Sequence, residues 1–188
     1  MKKKNNIGKD ILSKIFNLKK LDVCEKTLFN SEYQHFYFQT DFFFSEEKEG
    51  LDVIKKCCEV FNENHFKVIL PKYSIFGNIK DTITYEIPCS IDTDGYVDQA
   101  FMAEDEKDIY RYDYVFIVGS SLKWAIIEYP FIDVSILSIH KDADIKEMDF
   151  LTKYLYNDVI DFVSHSGSDI VNEIGSEETK IFIKNYSK

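Results

Sequence analysis

The chain has 188 residues, of which 45% are hydrophobic, 30% are charged and 15% are aromatic. These values are typical of one folded domain and exclude a disordered chain. The formal net charge of −10 disfavours binding to nucleic acid or to an anionic membrane. Arg111 is the only arginine, so the chain is also poorly suited to gripping phosphate groups.

No segment predicts export or membrane insertion. Residues 1–4 are basic, like the start of a signal peptide, but residues 5–10 are too polar to form its apolar part. No apolar run approaches the roughly 20 residues that a membrane-spanning helix needs. We therefore expect a cytoplasmic protein, and in that reducing compartment we expect its cysteines to behave as small buried hydrophobic residues. These cysteines are Cys24, Cys57, Cys58 and Cys89.

In chain order, the first predicted element is a basic helix within residues 1–20, a segment that carries a net charge of +6. Its apolar positions are Ile7, Ile11, Ile15 and Leu18. Residues 33–44 are dense in aromatic rings and predict a strand. Ser45 then resembles the N-cap of a second helix, which ends near Asn64.

From residue 67 onward, short apolar runs separated by turn signals predict antiparallel hairpins. The runs cover residues 67–70, 82–91, 96–102, 112–118, 124–129 and 132–139. Residues 119–123 resemble a phosphate-binding loop, but they lack its Gly-Lys-Ser/Thr ending, so we interpret them as a hairpin turn.

The C-terminal part predicts one more helix and one more strand. The helix is predicted from an apolar stripe at helical spacing, which consists of Met148, Leu151, Leu155, Val159 and Phe162. It is predicted to end in a loop at residues 164–167, and residues 179–183 are predicted to form the last strand. The pattern as a whole predicts a single α+β domain over residues 1–188, a meandering antiparallel sheet with flanking helices on one face or side.

Residues 92–98, with the sequence Asp-Thr-Asp-Gly-Tyr-Val-Asp, allow two interpretations. One is a calcium loop, but Ser90 and Phe101 would then occupy its first and last ligand positions, where carboxylates are needed. The other is a hairpin turn, since Asp-Gly between strand-like runs is a strong turn signal. The hairpin turn is the better interpretation, and we expect no metal.

Residues 81–115 carry ten acidic residues against Lys107 and Arg111, a net charge of −8. A charge run of this kind is either a solvated loop or a docking surface for a basic protein. Interleaved tyrosines favour the docking surface, because their rings add contact area at low entropic cost. The candidate contact residues are Asp92, Asp94, Asp98, Glu104, Asp105, Glu106, Asp108, Tyr110 and Tyr112.

No catalytic motif is present. Residues 164–169 contain Ser, His and Asp, but adjacent residues cannot form a hydrolytic triad, and the chain has no Gly-x-Ser-x-Gly elbow. No histidine stands at a metal-ligand spacing from another histidine or a cysteine. We therefore assign no catalytic residue, metal or cofactor.

Residues 113–139 run through a strand, a small polar turn, Trp124 and two further strands. This stretch resembles hairpins of small immunity proteins from bacterial toxin–immunity systems, including contact-dependent inhibition. The resemblance implies a small, acidic, cytoplasmic α+β protein that plugs a cognate toxin. It covers about a seventh of the chain. It assigns no functional residue, and Trp124 is as well suited to the core as to a partner.

The sequence therefore favours an immunity-type binding protein that occludes a basic toxin domain, for which a nuclease is the expected class. One alternative is a small enzyme whose site is assembled from scattered residues such as His35, Cys89 and Asp98. Another is a regulatory or scaffold protein with a different partner.

Overall fold

The computed structural model describes residues 3–4, 7–18, 29, 32–38, 48–73, 79–105, 114–129, 134–143, 156 and 158–186. The helices are α1 (Ile7–Ile15), α2 (Lys48–Val60), α3 (Thr93–Asp105), α4 (Val159–Ile174) and α5 (Ser176–Tyr186). The strands are β1 (Lys3–Lys4), β2 (Tyr33–Phe38), β3 (His65–Tyr73), β4 (Ile79–Pro88), β5 (Val115–Gly119), β6 (Trp124–Tyr129) and β7 (Val134–His140).

The seven strands form one sheet in the order β1-β4-β3-β5-β6-β7-β2, and every neighbouring pair is antiparallel. β3 and β4 form one hairpin, and β5, β6 and β7 form a meander. The chain crosses from β4 to β5 through α3, which lets β3 pair with both β4 and β5. The predicted α+β class with an antiparallel sheet is confirmed.

Helices cover both faces of this sheet, so the prediction of helices on one face or side is wrong. Strand residues alternate between two clusters: Val115 and Ile117 pack with α2, whereas Phe116 and Val118 pack with α1, α4 and α5. We call these sides the α2 face and the α1 face. The central strands β5 and β6 are buried at every position, as expected for strands covered on both sides.

A tight turn ends α2 and connects it to β3. Asn62 adopts a left-handed conformation with φ of 52°. The amide of Glu63 donates to the carbonyl of Cys58 (2.8 Å), and the amide of Asn62 donates to that of Glu59 (3.1 Å). This pair of bonds is a Schellman motif, which satisfies the last carbonyls of the helix. The turn fixes the position of Glu63 beside the β5–β6 hairpin.

Two predictions for the C-terminal part are wrong. Residues 164–167 lie inside α4, which begins after its N-cap Asp158 and ends at Gly175. Residues 179–183 belong to α5, where they form helix instead of the predicted last strand. Of the predicted apolar stripe, Val159 and Phe162 lie in α4, and residues 148–155 lie outside the described part of the chain.

Candidate partner-binding site

The segment predicted as a hairpin turn is instead the start of α3. Oδ1 of Asp92 accepts a hydrogen bond from the amide of Gly95 (2.8 Å), and the carbonyl of Asp92 accepts one from the amide of Tyr96 (3.0 Å). Asp92 is therefore the N-cap of a helix whose first turn also contains Asp94. The predicted turn and the predicted strand over 96–102 are both wrong, because capping outweighs the Asp-Gly turn signal here.

A buried tyrosine fastens α3 to the α2 face. Tyr96 is 1% exposed and belongs to the same hydrophobic cluster as Phe66, while Ile91 packs against that cluster from the position before the N-cap. Ile91 and Tyr96 occupy the two positions of a hydrophobic staple. Burial, and then the nearby carboxyl of Glu128 on β6, raise the pKa of Tyr96 well above its ordinary value. Tyr96 is thus an internal anchor and not a surface for a partner.

Three carboxylates at the start of α3 are exposed to solvent: Asp92, Asp94 and Asp98. We call these three residues the acidic face of α3. Asp94 and Asp98 are separated by four positions, so they lie on the same side of the helix, one turn apart. Like charges at this spacing destabilise an isolated helix slightly, and the N-cap and the buried Tyr96 offset that cost.

The structure places only part of the predicted contact set. The backbone of Glu104 and Asp105 forms the last turn of α3. The remaining predicted contacts lie outside the described residues: Glu106, Asp108, Tyr110 and Tyr112. A single contact surface made of all nine residues therefore stays a prediction.

The neighbouring helix α2 adds little net charge to this side of the molecule. Its exposed Glu59 is paired with Lys56 at 2.6 Å, an exposed ion pair between residues three positions apart. Asp52 is exposed and Lys55 is half-buried. Among the described side chains of α2 and α3, the net negative charge is therefore carried by α3 and its N-cap.

One carboxylate with a clear structural role was not anticipated from the sequence. Oε2 of Glu63 accepts hydrogen bonds from the amide of Ser120 (2.9 Å) and from the indole Nε1 of Trp124 (3.2 Å). Its Oε1 accepts one from the amide of Ser121 (2.9 Å). Glu63 thus holds the β5–β6 turn, and a Cβ at Gly119 would overlap the indole of Trp124. The turn at 119–123 is a hairpin, as predicted.

The residues named for a scattered enzyme site are divided between the two faces of the sheet. His35 stacks against Phe29, which packs on the α1 face, whereas Cys89 packs on the α2 face. Nδ1 of His35 lies 3.0 Å from Oγ of Ser138, and burial, followed by the charge of Lys141, lowers its pKa to about 4. His35 and Cys89 therefore do not share a site.

Within the part of the chain that the structure describes, no group of three or more His, Cys, Asp or Glu side chains is arranged to hold a metal ion. Asp92, the residue considered for a calcium loop, uses its carboxylate to cap α3. Among the helices α1 to α5, none is long and apolar enough to cross a membrane.

In comparisons with known proteins, no protein-family model, no curated protein and no solved structure matched this chain. No relative therefore assigns a role to any of its residues.

Proposed function

We propose that the chain is an immunity-type binding protein that neutralises a cognate basic toxin domain, with a nuclease as the expected toxin class. The acidic face of α3 would form the centre of the contact. The observation that carries the proposal is the exposure of Asp92, Asp94 and Asp98 on a helix anchored to the sheet by the buried Tyr96.

A helix fixed in this way presents charge on a rigid support. A nuclease uses lysines and arginines to hold phosphate groups, and carboxylates on a complementary surface can pair with those cations. The complex would then block access of nucleic acid to the nuclease, both by steric occlusion and by occupying the phosphate-binding groups of the nuclease. Opposite charges on the two partners would also accelerate their association at low salt.

The first test is genetic and needs no variant. The gene immediately upstream should encode a large secreted toxin with a basic C-terminal domain. That domain should degrade nucleic acid when purified alone, and an equimolar amount of this chain should suppress the degradation. A toxin domain that stays fully active in the presence of excess chain would refute the proposal.

The second test locates the surface by charge reversal. Asp94→Lys combined with Asp98→Lys should weaken binding to the toxin domain by about 10-fold or more and flatten the dependence of the association rate on salt. The matched control is Asp161→Lys with Glu177→Lys, which makes the same change in net charge at exposed positions of α4 and α5 on the α1 face.

The control pair should leave both the affinity and the salt dependence close to those of the unaltered chain. Equal losses in both variants would mean that only net charge matters, and unchanged binding in both would remove the acidic face of α3 from the contact. Reversal at Glu104, Asp105 and Glu106 should extend the effect if the predicted surface continues along the chain.

A further inference from the structure

The β5–β6 turn presents three hydrogen-bond donors to a single carboxylate. The amide of Ser120 (2.9 Å) and the indole Nε1 of Trp124 (3.2 Å) donate to Oε2 of Glu63. The amide of Ser121 donates to Oε1 of the same side chain (2.9 Å). We call these three N–H groups the three-donor site. Successive backbone amides that converge on one group in this way form anion-binding concavities in other turns.

The shape of the turn accounts for the direction of its two amides. The amide of Leu122 donates to the carbonyl of Gly119 (3.1 Å), which closes a four-residue turn with Ser120 and Ser121 at its centre. Leu122 then adopts a left-handed conformation with φ of 62°. This conformation is unfavourable for a residue with a Cβ, and backbone strain of this kind is found at ligand-binding sites.

The turn is held in this shape by contacts that do not involve the bound carboxylate. The hydroxyl of Tyr33 donates to the carbonyl of Leu122 (2.7 Å), and the hydroxyl of Ser120 donates to the carbonyl of His65 (2.8 Å). The indole of Trp124 is fully buried, so its direction is fixed by the core. The three donors should therefore keep their positions when the carboxylate is removed.

The outer side of the three-donor site is open to solvent. Ser120 and Ser121 are exposed and Glu63 is half-buried, whereas the indole of Trp124 closes the inner side. Gly119 leaves room for the carboxylate, because a Cβ there would lie 2.7 Å from Oε2 of Glu63. Loss of this side chain would open a space of about carboxylate size. Its donors would lack their acceptor, which is unfavourable and promotes binding of an anion.

We propose that the β5–β6 turn is a preformed binding site for a carboxylate, and that Glu63 is the ligand which the chain itself supplies. An external carboxylate such as formate would enter the three-donor site when the side chain of Glu63 is absent. It would accept the same three hydrogen bonds, because the donors belong to the turn and to Trp124. In the unaltered chain the tethered carboxylate has a high effective concentration and excludes free anions. The inference is independent of the proposed toxin partner.

The test uses the full chain with Glu63→Ala, titrated with sodium formate and followed by the NMR signals of the three donor N–H groups. All three signals should move along one saturable curve, and sodium chloride at the same ionic strength should leave them in place. A ligand of three non-hydrogen atoms reaches a dissociation constant on the order of 1 mM at best, so the titration must extend well above that concentration. The same signals of the unaltered chain should not respond to formate.

Three results of this titration would overturn the proposal. The donor signals could stay in place, could move equally in chloride, or could move together with signals spread over the whole chain. If Glu63→Ala is unfolded in chloride, formate and not chloride should restore the folded spectrum. Failure of formate to do so would overturn the proposal as well.

Glu63→Gln provides a matched control for the space that the side chain leaves. It keeps the length of the side chain without its charge, so it occupies the three-donor site itself. We expect it to bind formate about 10-fold or more weakly than Glu63→Ala, because the tethered amide competes with the free anion. Equal affinities of the two variants would place formate elsewhere and overturn the proposal.

A second matched pair removes one donor from the site in the Glu63→Ala background. Ser120→Pro deletes a backbone N–H at the second position of the turn, where proline is favoured. It should weaken formate binding by about 10-fold, since a hydrogen bond to a charged group is lost. Ser120→Ala keeps the amide and loses only the hydroxyl, so it should retain most of the affinity. Equal affinities in the proline and alanine variants would show that this amide does not bind formate and would overturn the proposal.

Discussion

His35 on β2 is the side chain for which the structure predicts the clearest pH-dependent effect on stability. Its imidazole is largely buried, stacks on Phe29 with ring centroids 4.5 Å apart, and lies 3.0 Å from Oγ of Ser138. Burial disfavours the charged imidazolium, and the nearby Lys141 adds a smaller effect of the same sign. The folded chain therefore holds His35 in its neutral form at neutral pH.

The size and direction of the effect follow from linkage between protonation and folding. The pKa of His35 falls from 6.5 to about 4 on folding, so the unfolded chain takes up the proton first as the pH falls. At about 1.4 kcal/mol per pKa unit, the difference corresponds to about 3 kcal/mol. This stability is fully present above a pH of about 6.5 and is lost as the pH falls to about 4.

The assay is urea unfolding at a series of pH values, followed by the fluorescence of Trp124, the single tryptophan. The matched control is His35→Phe with Ser138→Ala, which keeps an aromatic ring on Phe29 and leaves no hydroxyl without its partner. Between neutral pH and pH of about 4, the unaltered chain should lose about 3 kcal/mol more of its unfolding free energy than the control. Parallel pH profiles for the two proteins would refute the assignment.

Three further predictions concern stability and use thermal or urea unfolding of matched variants. Asp92→Ala should cost about 1 kcal/mol because α3 loses its N-cap, whereas Asp92→Ser should retain most of the stability; equal stability in all three proteins would contradict the capping role. Glu63→Ala should cost about 2 kcal/mol and shift the fluorescence of Trp124, since the buried indole loses its acceptor; an unchanged spectrum would contradict this. Gly119→Ala should cost about 1–3 kcal/mol because its Cβ would overlap that indole. Gly95→Ala tests a second site of close approach, because its Cβ would meet the Asp92 carboxylate at 2.9 Å. A neutral result at Gly119 would show that the turn adjusts.

Local sequence patterns were sufficient to predict most strands and the first two helices. Apolar runs near residues 67–70, 124–129 and 132–139 correspond to β3, β6 and β7, and the turn at 119–123 is where it was expected. These features depend on side-chain periodicity and turn composition, which are properties of neighbouring residues. Helical spacing in the same way predicted α1 from Ile7, Ile11 and Ile15.

The start of α3 shows how a local signal is overridden. Asp94-Gly95 between strand-like runs predicted a turn, yet the segment becomes a helix once Asp92 caps it and Tyr96 enters the α2 face. Asp92 and Gly95 are also the residues of a capped helix start, so the sequence was compatible with both structures. Burial of the Tyr96 ring against the sheet, which no local pattern reports, favours the helix.

Some features of the candidate site could likewise be predicted from the sequence, whereas others could be seen only in the structure. The acidic charge of the 81–115 segment is evident from the sequence, and the exposure of Asp94 and Asp98 agrees with it. The hydrogen bonds between Glu63 and the β5–β6 turn join residues that are far apart along the chain. Contacts of this kind exist only after the strands have paired.

By itself, the sequence determined the α+β class, the antiparallel strands and the strongly negative middle segment, because each depends on composition or on short-range periodicity. Only the tertiary structure decided that helices cover both faces of the sheet, that residues 93–105 are helical and that Glu63 holds the β5–β6 turn. The physical reason is that β5 and β6 are buried on both sides and contain a single charged residue, Glu128. Their sequence therefore does not specify which helix will pack on which face, and packing of the whole chain makes that choice.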